Sequence, residues 1–189
     1  MRKIGLALAG TVLGIGMGSV VLATPALADE RACRGTIGAV TLDNVRVPQG
    51  ARCTLNGTRI KGTLKVEQRA TLIARGVKVV GNVQAEGAAR VTVAGGSAVG
   101  GSVQVKQGGA ATVESSRIKA DIQLDANGRY LKVNGNRVGG SIQVVGNRGG
   151  AEIRRNRVDG NLQCKENRPA PTGGGNIVDG NKEDQCRRF

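Results

Sequence analysis

The chain has 189 residues and carries 28 Lys and Arg against 14 Asp and Glu, with no His, for a formal charge of +14. One Tyr, one Phe and no Trp exclude an ordinary globule built on an aromatic core. The absence of His also excludes a His-based catalytic triad or zinc site, and nothing calls for a cofactor or metal.

Residues 1–28 read as an export signal. Arg2 and Lys3 are followed by an apolar, Gly-rich run from Ile4 to Ala23, and Ala26-Leu27-Ala28 offers a small-x-small cleavage site before Asp29-Glu30-Arg31. The run approaches membrane-spanning length, so an uncleaved anchor is the competing reading. Cleavage is favoured by the Ala-Leu-Ala site, and no Cys follows it to carry a lipid. The expectation is a soluble chain, secreted or associated with the cell envelope. It is one domain over 29–189, with no integral membrane span. Removing Arg2 and Lys3 leaves 26 basic residues against 14 acidic ones, so this mature chain still carries +12.

A short phrase then recurs. It reads Gly62-Thr-Leu-Lys-Val66, Gly81-Asn-Val-Gln-Ala85, Gly101-Ser-Val-Gln-Val105, Ala120-Asp-Ile-Gln-Leu124, Gly140-Ser-Ile-Gln-Val144 and Gly160-Asn-Leu-Gln-Cys164. Successive starts are 19, 20, 19, 20 and 20 residues apart, and a worn copy, Asp43-Asn-Val-Arg-Val47, lies 19 residues before the first. A fixed period of this size marks a solenoid. Within each phrase apolar and polar residues alternate, as in a strand with one buried face. A second alternating segment follows (Cys53/Leu55, Leu72/Ala74, Val91/Val93, Ala111/Val113, Leu131/Val133, Ala151/Ile153), then a short third apolar position at Ile60, Val79, Val99, Ile118, Val138, Val158 and Val178. The predicted fold is an all-β, single-stranded, right-handed parallel β-helix with about 20 residues per coil and roughly eight coils. Left-handed β-helices usually show a hexapeptide repeat, which is missing here. A Greek-key sandwich would not require its strands to match at this period.

Several columns follow from that register. Gln84, Gln104, Gln123, Gln143 and Gln163 should stack as an outward amide ladder, and Asn136, Asn156 and Asn176 as a turn ladder at a corner, where Asn tolerates left-handed backbone. Cys33 and Cys53 are 20 residues apart, and Cys164 and Cys186 are 22 apart, each about one coil. Stacking in adjacent coils would bring each pair within disulfide reach and keep the two pairs apart, so Cys33–Cys53 and Cys164–Cys186 is the expected pairing. The segment Pro169–Gly175 looks ill suited to pairing and is expected to replace the second strand of a capping coil.

Arg59, Lys78, Arg117, Arg137 and Arg157 fall at or next to the position before the third apolar residue, with Ser97 expected to interrupt the row. Like charges stacked at about 5 Å repel by roughly 1 kcal/mol in water. Such a row points to an acidic partner, an anionic cell-wall polymer or acidic polysaccharide. The competing reading is that long basic stems cover apolar corner surface, with Glu67, Glu86, Glu114, Asp125 and Glu152 neutralising part of the charge. Sequence-specific nucleic-acid binding is not expected, because stacking aromatics and a reading helix are missing. Asp159 and Asp179, near Arg157, are the one carboxylate pair that could do acid–base work, but both lie in Val-Asp-Gly turns, so no catalytic residue is assigned.

From Leu42-Asp-Asn-Val-Arg-Val-Pro48 to Gly180-Asn-Lys-Glu-Asp-Gln-Cys186 the chain resembles uncharacterised secreted parallel β-helix repeat proteins of actinobacterial type. That resemblance implies export and a β-solenoid and brings no activity to carry over. Bactofilins differ in looking cytoplasmic and uncapped; curli-type subunits share Gln and Asn ladders but lack cysteine clamps. The leading expectation is a non-enzymatic solenoid that binds anionic polymers. A self-assembling matrix or fibre subunit is the second, and a polysaccharide-active enzyme the third. The sequence leaves the oligomeric state open.

Overall fold

The computed structural model describes residues 29–189; the expected export signal lies outside them. Every strand pairs in parallel, and the described residues contain no helix. Three sheets run the length of the molecule. The first has nine strands, from Glu30–Ala32 to Lys182–Asp184. The second has eight, from Gly35–Ile37 to Thr172–Gly174, and the third has eight two-residue strands, from Thr41–Leu42 to Ile177–Val178. The chain visits each sheet once per turn, so about eight coils stack into a β-solenoid.

The register is the one the repeat predicts. In the first sheet Val83 pairs with Val103, Val103 with Ile122, Ile122 with Ile142 and Ile142 with Leu162. Period-two alternation sends these side chains inward, where they are fully buried. The inner columns of the second and third sheets, such as Leu72–Val91–Ala111–Leu131–Ala151 and Ile60–Val79–Val99–Ile118–Val138–Val158, close the core without an aromatic ring.

The corners carry more of the architecture than the sequence reading allowed. Between the first and second sheets, Gly87, Gln107, Ala126, Gly146 and Glu166 occupy equivalent positions with φ of 63, 51, 55, 65 and 58°. Four of these five corners are followed by a buried polar ladder residue or its glycine counterpart: Gly108, Asn127, Asn147 and Asn167. Asn147 Oδ1 accepts from both the backbone N–H and the side-chain Nδ2 of Asn127 (2.8 and 3.0 Å), while Asn147 Nδ2 donates to Leu124 O (2.8 Å) and to Asn167 Oδ1 (2.9 Å). The ladder ends on Gln185, whose longer side chain takes the next place and accepts from Asn167 N at 3.0 Å. The corner between the second and third sheets repeats the construction with Asn136, Asn156 and Asn176. There the left-handed residue is the one before each Asn (Gly135, Arg155, Gly175), not the Asn itself, which instead faces inward and holds the turn.

A third ladder lines the corner between the third and first sheets. Ser102 N donates to Asn82 Oδ1, Asp121 N to Ser102 Oγ, Ser141 N to Asp121 Oδ1, and Asn161 N to Ser141 Oγ, at 2.7–3.2 Å. This ladder explains the Gly that opens most copies of the repeated phrase: a Cβ on Gly101 would run into Asn82 Oδ1, and one on Gly160 would lie 2.6 Å from Ser141 Oγ. Among the described residues no buried side-chain nitrogen or oxygen lacks a partner.

Both expected disulfides are present, with Cα–Cα distances of 5.5 Å for Cys33–Cys53 and 5.2 Å for Cys164–Cys186. The geometry differs from simple stacking. The in-register neighbour of Cys53 is Gly35, two residues beyond Cys33, and that of Cys164 is Asp184, two residues before Cys186. Each bridge therefore runs diagonally through the interior at a corner. The Pro169–Gly175 segment corrects another expectation: Thr172–Gly174 does pair, in parallel with Glu152–Arg154. Pairing uses backbone groups only, so a Gly-rich strand can add to an existing edge. Gly173, inward-facing opposite Ile153, leaves a gap that the ring of Phe189 covers; a Cβ there would lie 2.7 Å from Phe189 Cδ2.

Candidate anionic-polymer interface

The third sheet presents its basic residues as an aligned column. Arg59 pairs with Lys78, Lys78 with Ala98, Ala98 with Arg117, Arg117 with Arg137, and Arg137 with Arg157. All five basic side chains are exposed, because each two-residue strand sends its second residue inward and its first outward. Successive members lie one coil rise apart, about 4.8 Å.

Ala98, not Ser97, interrupts the row. The coil is one residue longer here, because Gly95 and Gly96 both occupy the preceding corner with φ of 66 and 76°. Counting from Lys78 by the shorter repeat lands on Ser97. The extra glycine moves Ser97 into the buried corner, where its Oγ donates to Ala94 O at 2.6 Å and accepts from Val77 N at 3.2 Å.

Most of the column lacks an ion pair among the described residues, as do Arg52, Lys65, Arg75 and Arg90 on the other two faces; the column sets four such cations in one register row. On the outer faces of the first and second sheets some of the cations are paired with carboxylates. Arg46 bonds Glu30 (2.6 Å) and Glu67 (3.4 Å), Lys132 bonds Glu114 (2.6 Å), and Lys106 and Arg154 each lie 3.7 Å from Asp125 and Glu152 respectively. The hydrogen bond that Arg46 donates to Glu30 raises the Arg46 pKa, the one that Lys132 donates to Glu114 raises that of Lys132, and the Asn134 amide holds Glu152 below the ordinary carboxylate range. Glu86, expected to share in this, forms no ion pair within 4 Å among the described residues. In the third-sheet column only Arg157 has a carboxylate within that distance, Asp179 at 3.8 Å; Arg59, Lys78, Arg117 and Arg137 have none among the described residues.

Sequence reasoning missed Lys119, which stands two residues past Arg117 at the next corner and adds a further cation without an ion pair. Its signal was available in the spacing, since Lys61 holds the same position after Arg59. Lys61, however, pairs with Asp43 at 2.9 Å.

The Gln column keeps its register but is not a continuous ladder. Gln104 Nε2 donates to Gln123 Oε1 at 3.0 Å, and no other pair within the column is hydrogen-bonded. Solvent competes for outward amides, whereas the buried Asn have no alternative partner. With Lys65, Gln84 and Gln104 the first sheet forms an open groove of about 520 Å³, walled also by Glu67, Glu86 and Lys106, so its charge is mixed. Asp159 and Asp179 do sit in adjacent coils, both exposed, with Asp179 engaged by Arg157. No group of three potential metal ligands occurs among the described residues. Also among the described residues, no helix is long and apolar enough to cross a membrane. Comparison with protein-family models, with curated proteins and with solved structures finds no match to the chain.

Proposed function

We propose that this protein is an exported, non-enzymatic β-solenoid that binds anionic polymers of the cell envelope or its surroundings along the third sheet. The observation that carries the reading is the column Arg59, Lys78, Arg117 and Arg137: four cations in one register row, none with a carboxylate within ion-pair distance among the described residues. Stacking them costs electrostatic free energy, and a polymer bearing repeated negative charge relieves it while releasing its own counterions. The two disulfides fit a chain that matures in an oxidising compartment, where such polymers are met. Closure of the C-terminal end by Phe189 and Cys164–Cys186 favours this reading over end-to-end assembly.

The test compares two charge-matched variants of the mature protein on immobilised polyanions. One replaces Arg59, Lys78, Arg117 and Arg137 with Gln; the other replaces Arg46, Lys106, Lys132 and Arg154 with Gln. Wild type is expected to bind at about 50 mM salt and to weaken steeply towards about 200 mM, in the manner of multi-contact polyanion binding. The first variant should lose most of the binding and the second little. No wild-type binding at the lower salt, or equal losses in the two variants, overturns the proposal.

A further inference from the structure

The break at Ala98 opens a specific place in the basic column. Ala98 lies between Lys78 in one coil and Arg117 in the other, and Gly100 follows it at the corner. Without long side chains at these positions, a notch of about 390 Å³ forms, lined by Lys78, Val80, Ala98, Gly100, Arg117 and Lys119. Its floor is apolar: Val80 is 52% exposed, one of few large hydrophobic side chains left open to solvent. Its walls are three cations with no carboxylate within ion-pair distance among the described residues. An exposed apolar floor between unneutralised cations is an arrangement that water alone satisfies poorly.

We infer that this notch is the register point for a phosphodiester polymer built on saturated polyol or sugar units. The carbon unit lies on Val80, Ala98 and Gly100, one flanking phosphate meets Lys78, and the next meets Arg117 with Lys119. Lys78 and Arg117 are two coil rises apart, about 10 Å, which leaves room for one carbon unit between two anionic groups. The Arg117 guanidinium supplies paired N–H donors that suit phosphate oxygens, and the two ammonium groups act as point charges. Single-stranded nucleic acid fits less well, because its bases need stacking rings and the described aromatics lie elsewhere: Tyr130 beside Gly150, and Phe189 over Gly173. The inference rests on the polyanion reading and narrows it to one place and one class of ligand.

The experiment measures affinity of the mature protein for a glycerol-phosphate polymer, with heparin and a DNA oligonucleotide of matched charge as competitors, for Ala98→Glu and Gln104→Glu. Both substitutions change net charge equally, one in the notch and one on the outer face of the first sheet. Ala98→Glu is expected to weaken binding at least about tenfold and Gln104→Glu less than about threefold, the first figure corresponding to loss of a charge-assisted contact. Lys119→Gln against Arg90→Gln repeats the comparison without adding bulk, so a folding defect in Ala98→Glu does not decide the outcome. If wild type binds no polyanion, the general reading fails. If it binds but the notch and control variants weaken equally, only the notch is wrong. Equal competition by all three polymers overturns the ligand class.

Discussion

Cys33 and Cys164 stand at the two ends of a single interior column. Cys164 follows Val47, Val66, Ala85, Val105, Leu124 and Val144 in the inner row of the first sheet. Cys33 heads the row: it directly follows the Ala32–Arg46 pair and donates its N–H to Arg46 O at 2.8 Å. Each then leaves the column diagonally, to Cys53 and Cys186. The protein closes one aliphatic stack at both ends with the same device. Terminal coils have a neighbour on one side only, so they are where a solenoid frays.

Removing a bridge should therefore act locally. The paired change Cys33→Ala with Cys53→Ala opens a loop of 20 residues, for which chain-entropy arguments give about 3 kcal/mol. Amide exchange at Asn44 and at position 33 should accelerate by about two orders of magnitude, the equivalent of that free energy. Exchange at Val91 and Val113, in the middle coils, should stay within about threefold of wild type. Uniform acceleration along the chain would contradict the end-clamp role.

The two amide columns should respond differently to truncation. Asn147→Ala removes the acceptor for Asn127 N and Nδ2 and the donor to Leu124 O, all buried. Leaving such groups unpaired costs about 1–3 kcal/mol each, so denaturant midpoints should fall by the equivalent of about 2–5 kcal/mol. Gln104→Ala loses a single half-exposed bond to Gln123 and should cost under about 1 kcal/mol.

Phe189 is expected to behave as a lid. It packs against the core cluster and lies over Gly173. Phe189→Ala should lower stability by about 1–2 kcal/mol, less than a fully buried ring. It should also expose the amides of Gly173 and Gly174 to exchange. Unchanged protection there would show that the terminal disulfide suffices.

Two carboxylates should give stability opposite pH dependences. Glu152 accepts from Asn134 Nδ2 and has its pKa lowered in the fold. Its contribution is present above the unfolded carboxylate value of about 4.3 and fades as pH falls through the lower folded value. Glu152→Gln should thus destabilise at neutral pH and have little effect in strong acid. Burial raises the pKa of Asp125, against the attraction of Lys106. Its charged form costs stability above that raised value, so Asp125→Asn should stabilise at neutral pH and become neutral in acid. Thermal unfolding from about pH 2 to pH 7 checks both signs.

The repeat by itself determined the solenoid, the inward columns, the disulfide pairing and the alignment of Arg59, Lys78, Arg117, Arg137 and Arg157. These follow from a period of about 20 residues and from strand alternation, both local properties of the chain. What only the tertiary structure decided depends on corner geometry, where one extra residue changes which side chain faces in. The doubled Gly95-Gly96 corner buried Ser97 and put Ala98 in the basic row, which created the notch. The diagonal path of the disulfides was hidden for the same reason, whereas the 20-residue spacing of Asn127, Asn147 and Asn167 was as legible as that of Asn136, Asn156 and Asn176, and only their burial was not. Neutralisation was equally illegible: Arg46 and Arg117 look alike in sequence, but only register across coils sets Glu30 and Glu67 beside one and leaves the other without a carboxylate partner among the described residues.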